Sequence, residues 1–147
     1  MADLIRMTVD GVMVEGNRPV VLLKEDSGDR VLPIVIGPAE AMAISMELRG
    51  EKPPRPLTHD LMCNILEMLG VTVKHIVVTE LVQDTYHAQI VLSADHANGQ
   101  REVDARPSDA IALALRTDSP IFATNELLDR VRQQRDTFIV DSPPTVH

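Results

Sequence analysis

The chain has 147 residues, of which 44% are hydrophobic, a length and composition that suit one domain with its own apolar core. Its single cysteine, Cys63, excludes an internal disulfide framework and a cysteine-rich zinc site. A net charge of −8 and an aromatic content of 2% argue against the basic, base-stacking surface of a typical nucleic-acid-binding protein.

The ends of the chain and its apolar stretches bear on location. The N-terminal segment lacks the basic start and apolar centre of a secretion signal. The longest apolar stretch, Val31–Met46, is interrupted by Pro33, Pro38 and Glu40, which excludes a membrane span there. We therefore expect a cytoplasmic protein with no membrane segment.

Alternating apolar and polar residues predict strands, and apolar residues at helical spacing bounded by proline, threonine and glycine predict helices. In the first half of the chain we expect strands Met7–Val14, Pro19–Lys24 and Arg30–Ile36, then a helix over Ala39–Arg49 and a helix over His59–Leu69 capped by Thr58. In the second half we expect strands Val71–Val78, Thr85–Leu92 and Arg101–Ala105, a helix over Ser108–Arg116, a short strand Ser119–Thr124 and a last helix Asn125–Gln134.

Two segments share the pattern Pro-x-acid-Ala-apolar-Ala-apolar, namely Pro38–Ile44 and Pro107–Leu113. Each follows three predicted strands, so the pattern indicates a duplicated βββα unit. A simpler explanation is that proline and an acid suit any helix start. Either way the expected fold is α+β, with a mixed, mostly antiparallel sheet packed by helices. We expect one domain over residues 1–134 and a flexible tail over residues 135–147.

Three predicted helix starts carry the polar residues of interest: 37–40, 55–60 and 104–109. Their acids, Glu40, Asp60 and Asp109, would each stabilise a helix dipole, and Thr58 and Ser108 would act as caps. Arg55, Arg106 and His59 in the same segments would not stabilise a helix start in this way. The acids and the histidine could instead supply ligands for Mg²⁺ or Mn²⁺, and the arginines could bind a phosphate: Glu40, His59, Asp60, Asp104 and Asp109 for the metal, Arg55 and Arg106 for the phosphate.

Three motifs in these regions resemble those of the bifunctional nuclease domain family. They are Leu32–Gly37 with Glu40, Arg55–Leu61, and Val103–Ala114. The resemblance runs from about Met7 to Arg132. It implies a metal-assisted phosphodiester hydrolase that cleaves DNA and RNA with little sequence preference.

The resemblance also implies the site, since each residue occupies a motif position of that family. We interpret Glu40, His59, Asp60 and Asp109 as catalytic, with His59 as general base or metal ligand. The remaining roles are substrate binding by Arg55, Thr58, Arg106 and Ser108, and metal binding by Glu40, Asp104 and Asp109.

Other functions use the same residues. A regulatory module could hold a small anionic ligand with this acid–arginine cluster, and a hydrolase of small phosphoesters would need the same metal and arginines. As a nuclease the acidic chain would bind DNA and RNA weakly. The methionine-rich first helix and the aliphatic strands predict a homo-oligomer, most simply a dimer.

Overall fold

A computed structural model describes residues 3–94 and 99–141, and the side chains of residues 3–94 and 99–134. The elements in chain order are β1 (Leu4–Glu15), β2 (Arg18–Glu25), β3 (Val31–Val35), α1 (Pro38–Leu48), α2 (Thr58–Met68), β4 (Val71–Val82), β5 (Thr85–Ala94), β6 (Gln100–Ala105), α3 (Pro107–Thr117), β7 (Ile121–Thr124) and α4 (Asn125–Asp141). Each predicted strand and helix is therefore present, and the differences lie at their ends.

The strands form one mixed sheet in the order β3-β2-β1-β7-β4-β5-β6. Strand β7 runs parallel to β4, and the other pairings in the described part of the chain are antiparallel. β1 starts earlier than predicted because Leu4–Met7 pair with β7. β4 extends to Val82, where Gln83 and Asp84 form a tight turn with positive φ into β5. The predicted α+β class with a mostly antiparallel sheet is confirmed.

The sheet consists of two three-stranded meanders on either side of β7. In each meander the first strand, β1 or β4, lies next to β7, and the third strand leads into a helix, α1 or α3. Because β7 is antiparallel to β1 and parallel to β4, the two first strands run in opposite directions. A two-fold rotation about an axis perpendicular to the sheet produces this arrangement, which agrees with the predicted duplicated βββα unit.

Helix α3 lies at the centre of the core. It packs against α1, α2, β4 and β5, and its residues 110–114 are all almost fully buried. Three of those five are alanines, whose small side chains let neighbouring helices approach closely. α1 packs on β1 and β2, whereas α4 contacts β3, β4 and β7. No helix in the described part of the chain is long and apolar enough to cross a membrane.

Hydrogen bonds of two side chains, those of Thr124 and Arg30, fix the start of helix α4. Thr124 accepts a hydrogen bond from Leu127 N–H at 3.2 Å and donates one to the Thr79 carbonyl at 3.0 Å. Arg30, directly before β3, donates hydrogen bonds to Asn125 and Asp129 of α4, each at 2.8 Å. α4 continues past Gln134, its predicted end, so the predicted tail from residue 135 begins within this helix, and residues 142–147 lie outside the described part.

Two predicted caps are wrong. The residue before α2 is Leu57 and the residue before α3 is Arg106, so Thr58 and Ser108 lie inside the first turns and make no capping hydrogen bond. At α2 the helix start is stabilised from within, because the Asp60 carboxylate accepts the Leu57 N–H at 2.9 Å. Of the large apolar residues in and directly after α2, Leu66 packs against the core, whereas Leu61, Ile65 and Leu69 are exposed.

Candidate functional site

The centre of the candidate site is a contact between the starts of α2 and α3. His59, in the first turn of α2, lies 2.9 Å from Asp109, in the first turn of α3, measured from Nε2 to Oδ1. The histidine is buried and the aspartate is partly buried. Since Asp109 carries the negative charge, His59 Nε2–H donates, and Nδ1 is the ring nitrogen left to accept a proton.

Arg106 links Asp109 to the start of α1. Its guanidinium donates a hydrogen bond from Nε to Asp109 Oδ2 at 3.0 Å. Nη2 lies 2.9 Å from the same oxygen and 3.6 Å from Glu40 Oε2, within salt-bridge distance of both. Glu40 and Asp109 occupy equivalent positions in the two repeated segments, so the repeat brings both acids to one arginine. A Cβ at Gly37 would meet the end of the Glu40 side chain, so a larger residue there would displace the Glu40 carboxylate from this position.

These contacts determine the charge state of Asp109. Burial raises the pKa of this carboxyl, but hydrogen bonds from His59 and Arg106 outweigh that effect and hold its pKa below the usual value. Asp109 is therefore ionised at neutral pH, where it orients the His59 ring and balances the charge of Arg106. The Arg106 side chain is 65% exposed, so a ligand in solvent can reach it.

The three helix starts surround an open cavity of about 930 Å³. His59, Asp109, Arg106 and Glu40 line it, and Thr58 and Asp104 complete its polar wall. The rest of the lining is largely apolar, and it comprises Ala39, Met42, Ala43, Pro56, Leu57, Met62, Ile90, Val103 and Ala105. The cavity thus has charged residues, Glu40, Arg106 and Asp109, next to a largely apolar wall. Its volume is large enough for a nucleotide-sized group.

The predicted metal ligands line this cavity but do not form a cluster. Glu40, Asp104 and Asp109 all contribute to its wall. Across residues 3–94 and 99–134, however, no three His, Cys, Asp or Glu side chains lie close enough together to hold an ion. Both oxygens of Asp109 already accept hydrogen bonds, from His59 and from Arg106.

Asp60 lies apart from this group, although the sequence predicts a catalytic role for it. It does not line the cavity, and its Oδ1 accepts a hydrogen bond from Arg116 Nε at 2.7 Å. Burial raises its pKa, and the Leu57 N–H and Arg116 lower it by more, so the pKa of Asp60 is below its usual value. Asp60 therefore supports the start of α2, the turn that also carries His59.

Two of the four predicted substrate-binding residues, Ser108 and Arg55, also lie outside the main cavity. Ser108 is buried and lines a smaller neighbouring cavity of about 310 Å³, which shares Arg106 with the first. Arg55 is exposed in the loop before α2 and is not part of either lining. The predicted site residues therefore do not form one group. Most line the main cavity, whereas Asp60 contacts Arg116, Ser108 lines the smaller cavity and Arg55 is exposed in the loop.

One residue that supports the site was not predicted from the sequence, namely Arg116, whose side chain is buried in the last turn of α3. Besides Asp60, it donates to the Ala112 carbonyl at 3.0 Å and to the Ala43 carbonyl at 3.2 Å, so it ties α1, α2 and α3 together. An arginine near a helix C-terminus is common because it interacts favourably with the helix dipole. Its position alone therefore does not indicate that Arg116 binds other helices. The available signal is that Arg116 directly follows the apolar run Ala110–Leu115.

Comparison with known proteins assigns the family. A model of the bifunctional nuclease domain matches residues 21–136. An uncharacterized protein of Mycobacterium tuberculosis is 43% identical over 122 residues, which are 82% of this chain and 71% of that protein. Bifunctional nuclease 1 of Oryza sativa subsp. japonica is 33% identical over 69% of this chain, which corresponds to 31% of that protein. Bifunctional nuclease 1 of Arabidopsis thaliana is 30% identical over 70% of this chain and 32% of that protein. This chain therefore spans about a third of these plant proteins, and it belongs to the bifunctional nuclease domain family.

Proposed function

We propose that the protein is a nuclease of low sequence specificity that hydrolyses phosphodiester bonds in DNA and RNA. Family membership and the names of the plant relatives support a nuclease. The observation that carries the proposal is the ordered group of His59, Asp109 and Arg106 at one corner of an open cavity. This group has the chemistry that phosphodiester hydrolysis needs, namely a base and a cation side by side.

Each side chain has one role in this proposal. His59 accepts the proton of the attacking water at Nδ1, while Asp109 holds the ring through Nε2–H. The water oxygen bonds to phosphorus, the bond from phosphorus to the leaving oxygen breaks, and that oxygen takes a proton from solvent at the open mouth of the cavity. The Arg106 guanidinium stabilises the negative charge that grows on the other phosphate oxygens.

The charges at the cavity argue for loose substrate binding. Three carboxylates, those of Glu40, Asp104 and Asp109, line it beside the single guanidinium of Arg106. A polynucleotide is polyanionic, so this wall attracts it weakly, and with Arg106 as the one cation in the lining we expect affinity to fall only gradually with added salt. Low affinity and contact with the phosphate rather than the base both agree with low sequence specificity.

The cleavage assay described below tests whether hydrolysis needs a divalent ion. The carboxylates have the oxygen chemistry that Mg²⁺ or Mn²⁺ prefers, but their arrangement among the described residues does not form a metal site. Arg106 holds two of the three acids in place of an ion. We therefore derive no step through a metal, and metal assistance stays a prediction from the family resemblance.

The test is digestion of labelled single-stranded RNA and duplex DNA by the purified protein, in Mg²⁺, in Mn²⁺ and in EDTA. The Asp109→Asn variant is the comparison, because it keeps the shape of the residue and removes the charge that orients His59. We expect cleavage of both substrates by the natural protein and a strong loss in the variant. Equal cleavage by both proteins would indicate a contaminating nuclease and overturn the proposal.

A second candidate is a module that binds a small anionic ligand without cleaving it. The observation in its favour is that the largely exposed Arg106 side chain lies next to a mainly apolar wall. Such a site suits a ligand with one anionic end and an apolar body. Nucleotides that raise the melting temperature of the natural protein but not of Arg106→Ala, without cleavage of any polynucleotide, would favour it.

A further inference from the structure

Arg106 lines two neighbouring cavities, the main one of about 930 Å³ and the smaller one of about 310 Å³. Among the described residues it is the one residue that the two linings have in common. Its contacts with Asp109 and Glu40 use Nε and Nη2, and Nη1 donates no hydrogen bond within the described part of the chain. A phosphate bound at Nη1 therefore lies at the junction of the two cavities.

The smaller cavity is lined mostly by uncharged groups. Its wall consists of residues 33–37 at and after the end of β3, residues 84–86 around the start of β5, and residues 106–108 at the start of α3. Asp84 is the one carboxylate in this lining and Arg106 is the one cation. Because Asp84 repels a second phosphate and no further cation attracts one, an uncharged group suits this space. The volume lies at the lower end of the range for ligand cavities.

Two side chains of this lining have the chemistry that binds a nucleoside. Tyr86, the one tyrosine of the chain, is half-buried and packs against the core, which holds its ring in place. An aromatic ring can stack on any base, because every base has a flat π-face. Ser108 is only 5% exposed and makes no side-chain hydrogen bond within the described part of the chain, so its hydroxyl is available to a sugar oxygen.

The position of His59 decides which part of the substrate faces the smaller cavity. In the proposed hydrolysis His59 activates the attacking water, and it lines the main cavity but not the smaller one. In an in-line displacement the attacking and leaving oxygens lie on opposite sides of phosphorus. With the phosphate at Arg106 and the water in the main cavity, the leaving oxygen points towards the smaller cavity.

We propose that the smaller cavity binds the leaving nucleoside of the cleaved phosphodiester, with its base against the ring of Tyr86. The proposal rests on the proposed nuclease function and adds where each half of the substrate binds. The nucleoside that keeps the phosphate lies in the main cavity, and the nucleoside whose oxygen leaves phosphorus lies in the smaller one. The preferred substrate is therefore an internal bond of a polynucleotide, with a nucleoside on both sides of the phosphate.

The experiment uses a single-stranded oligothymidylate in which one residue is replaced by tetrahydrofuran, which keeps the backbone and lacks the base. Products separated at single-nucleotide resolution give the cleavage rate at every bond in one digestion. Of the two bonds beside the baseless residue, one has that residue as its leaving group. We expect the natural protein to cut this bond about tenfold more slowly than a bond between two thymidines, the effect of losing one base–aromatic stack.

Two variants of Tyr86 connect this difference to the smaller cavity. Tyr86→Leu removes the ring and is expected to reduce the difference to less than about twofold, whereas Tyr86→Phe keeps the ring and is expected to keep the difference. Because both rates come from one digestion, their ratio does not depend on how much of a variant is folded.

The outcomes separate this proposal from the nuclease function on which it rests. A tenfold difference that persists in Tyr86→Leu, or equal cleavage of all bonds by the natural protein, would overturn the nucleoside site and leave the nuclease function standing. Failure of the natural protein to cleave the unmodified oligothymidylate would overturn both.

Discussion

His59 and Asp109 come from the first turns of two different helices, and a hydrogen bond of 2.9 Å joins their side chains. Fifty residues separate them along the chain, so only the packing of α2 against α3 brings them together. Asp109 also binds Arg106, which in turn approaches Glu40 on α1. One aspartate therefore couples the candidate base, the candidate phosphate-binding arginine and a third helix start.

The salt bridge between Arg116 and Asp60 is expected to stabilise the fold. Arg116→Ala removes the partner of Asp60 and the donors to two backbone carbonyls inside the protein. We expect the free energy of unfolding to fall by about 3 kcal/mol, the lower end of the range for breaking a buried ion pair, because Arg116 is buried but Asp60 is 27% exposed. Chemical denaturation followed by circular dichroism measures this change.

The matched control is Arg132→Ala. Arg132 also forms a salt bridge, to Asp29 at 3.4 Å, but both side chains are mostly exposed. We expect this change to cost less than about 1 kcal/mol, because solvent screens the pair. Similar losses in the two variants would contradict the structural role given to Arg116.

Acid should weaken the fold through Asp60 and Asp109. Their pKa values are lowered from 3.8 because hydrogen bonds from cationic or N–H partners outweigh the effect of burial. A lowered pKa means that the unfolded chain binds protons more readily, so this stability is present above pH 3.8 and is lost as the pH falls below it. Melting temperatures between about pH 6 and pH 3 measure the effect.

Asp60→Asn is the comparison for this acid effect. It cannot ionise, so we expect a variant that is less stable at pH 6 but loses less stability on going to pH 3 than the natural protein does. Parallel melting curves across this pH range would show that Asp60 does not contribute to the acid sensitivity.

The hydroxyl of Thr124 joins the start of α4 to β4. Thr124→Val keeps the shape of the side chain and removes both hydrogen bonds, leaving the Leu127 N–H and the Thr79 carbonyl without this partner. We expect a loss of about 1–2 kcal/mol in the free energy of unfolding. Thr72→Val, which removes an exposed hydrogen bond to the Ser93 carbonyl, is expected to cost less, and an equal cost would contradict the cap.

The order of strands and helices was predictable because each element carries its own local signal. Alternation marks the strands, and Pro38 and Pro107 mark the starts of α1 and α3. The position of β7 between the meanders was not predictable, since pairing with both β1 and β4 depends on contacts between distant segments.

The candidate site was predictable in its parts but not in its arrangement. The motifs identified His59, Arg106 and Asp109, which the structure brings together. They could not show that Asp60 faces Arg116 rather than the cavity, although it is the neighbour of His59 in the chain. Adjacent residues of a helix point about 100° apart, so neighbours in sequence need not share a site.

The most direct test of the proposed function is the rate at which His59→Gln cleaves labelled single-stranded RNA, measured beside the natural protein and His87→Gln. His87 lies on β5 outside the cavity lining, so its change controls for the loss of any histidine. We predict that His59→Gln lowers the rate by about 10² to 10⁴-fold, the usual contribution of a general base, while His87→Gln keeps the natural rate. A correctly folded His59→Gln that cleaves as fast as the natural protein would contradict the account.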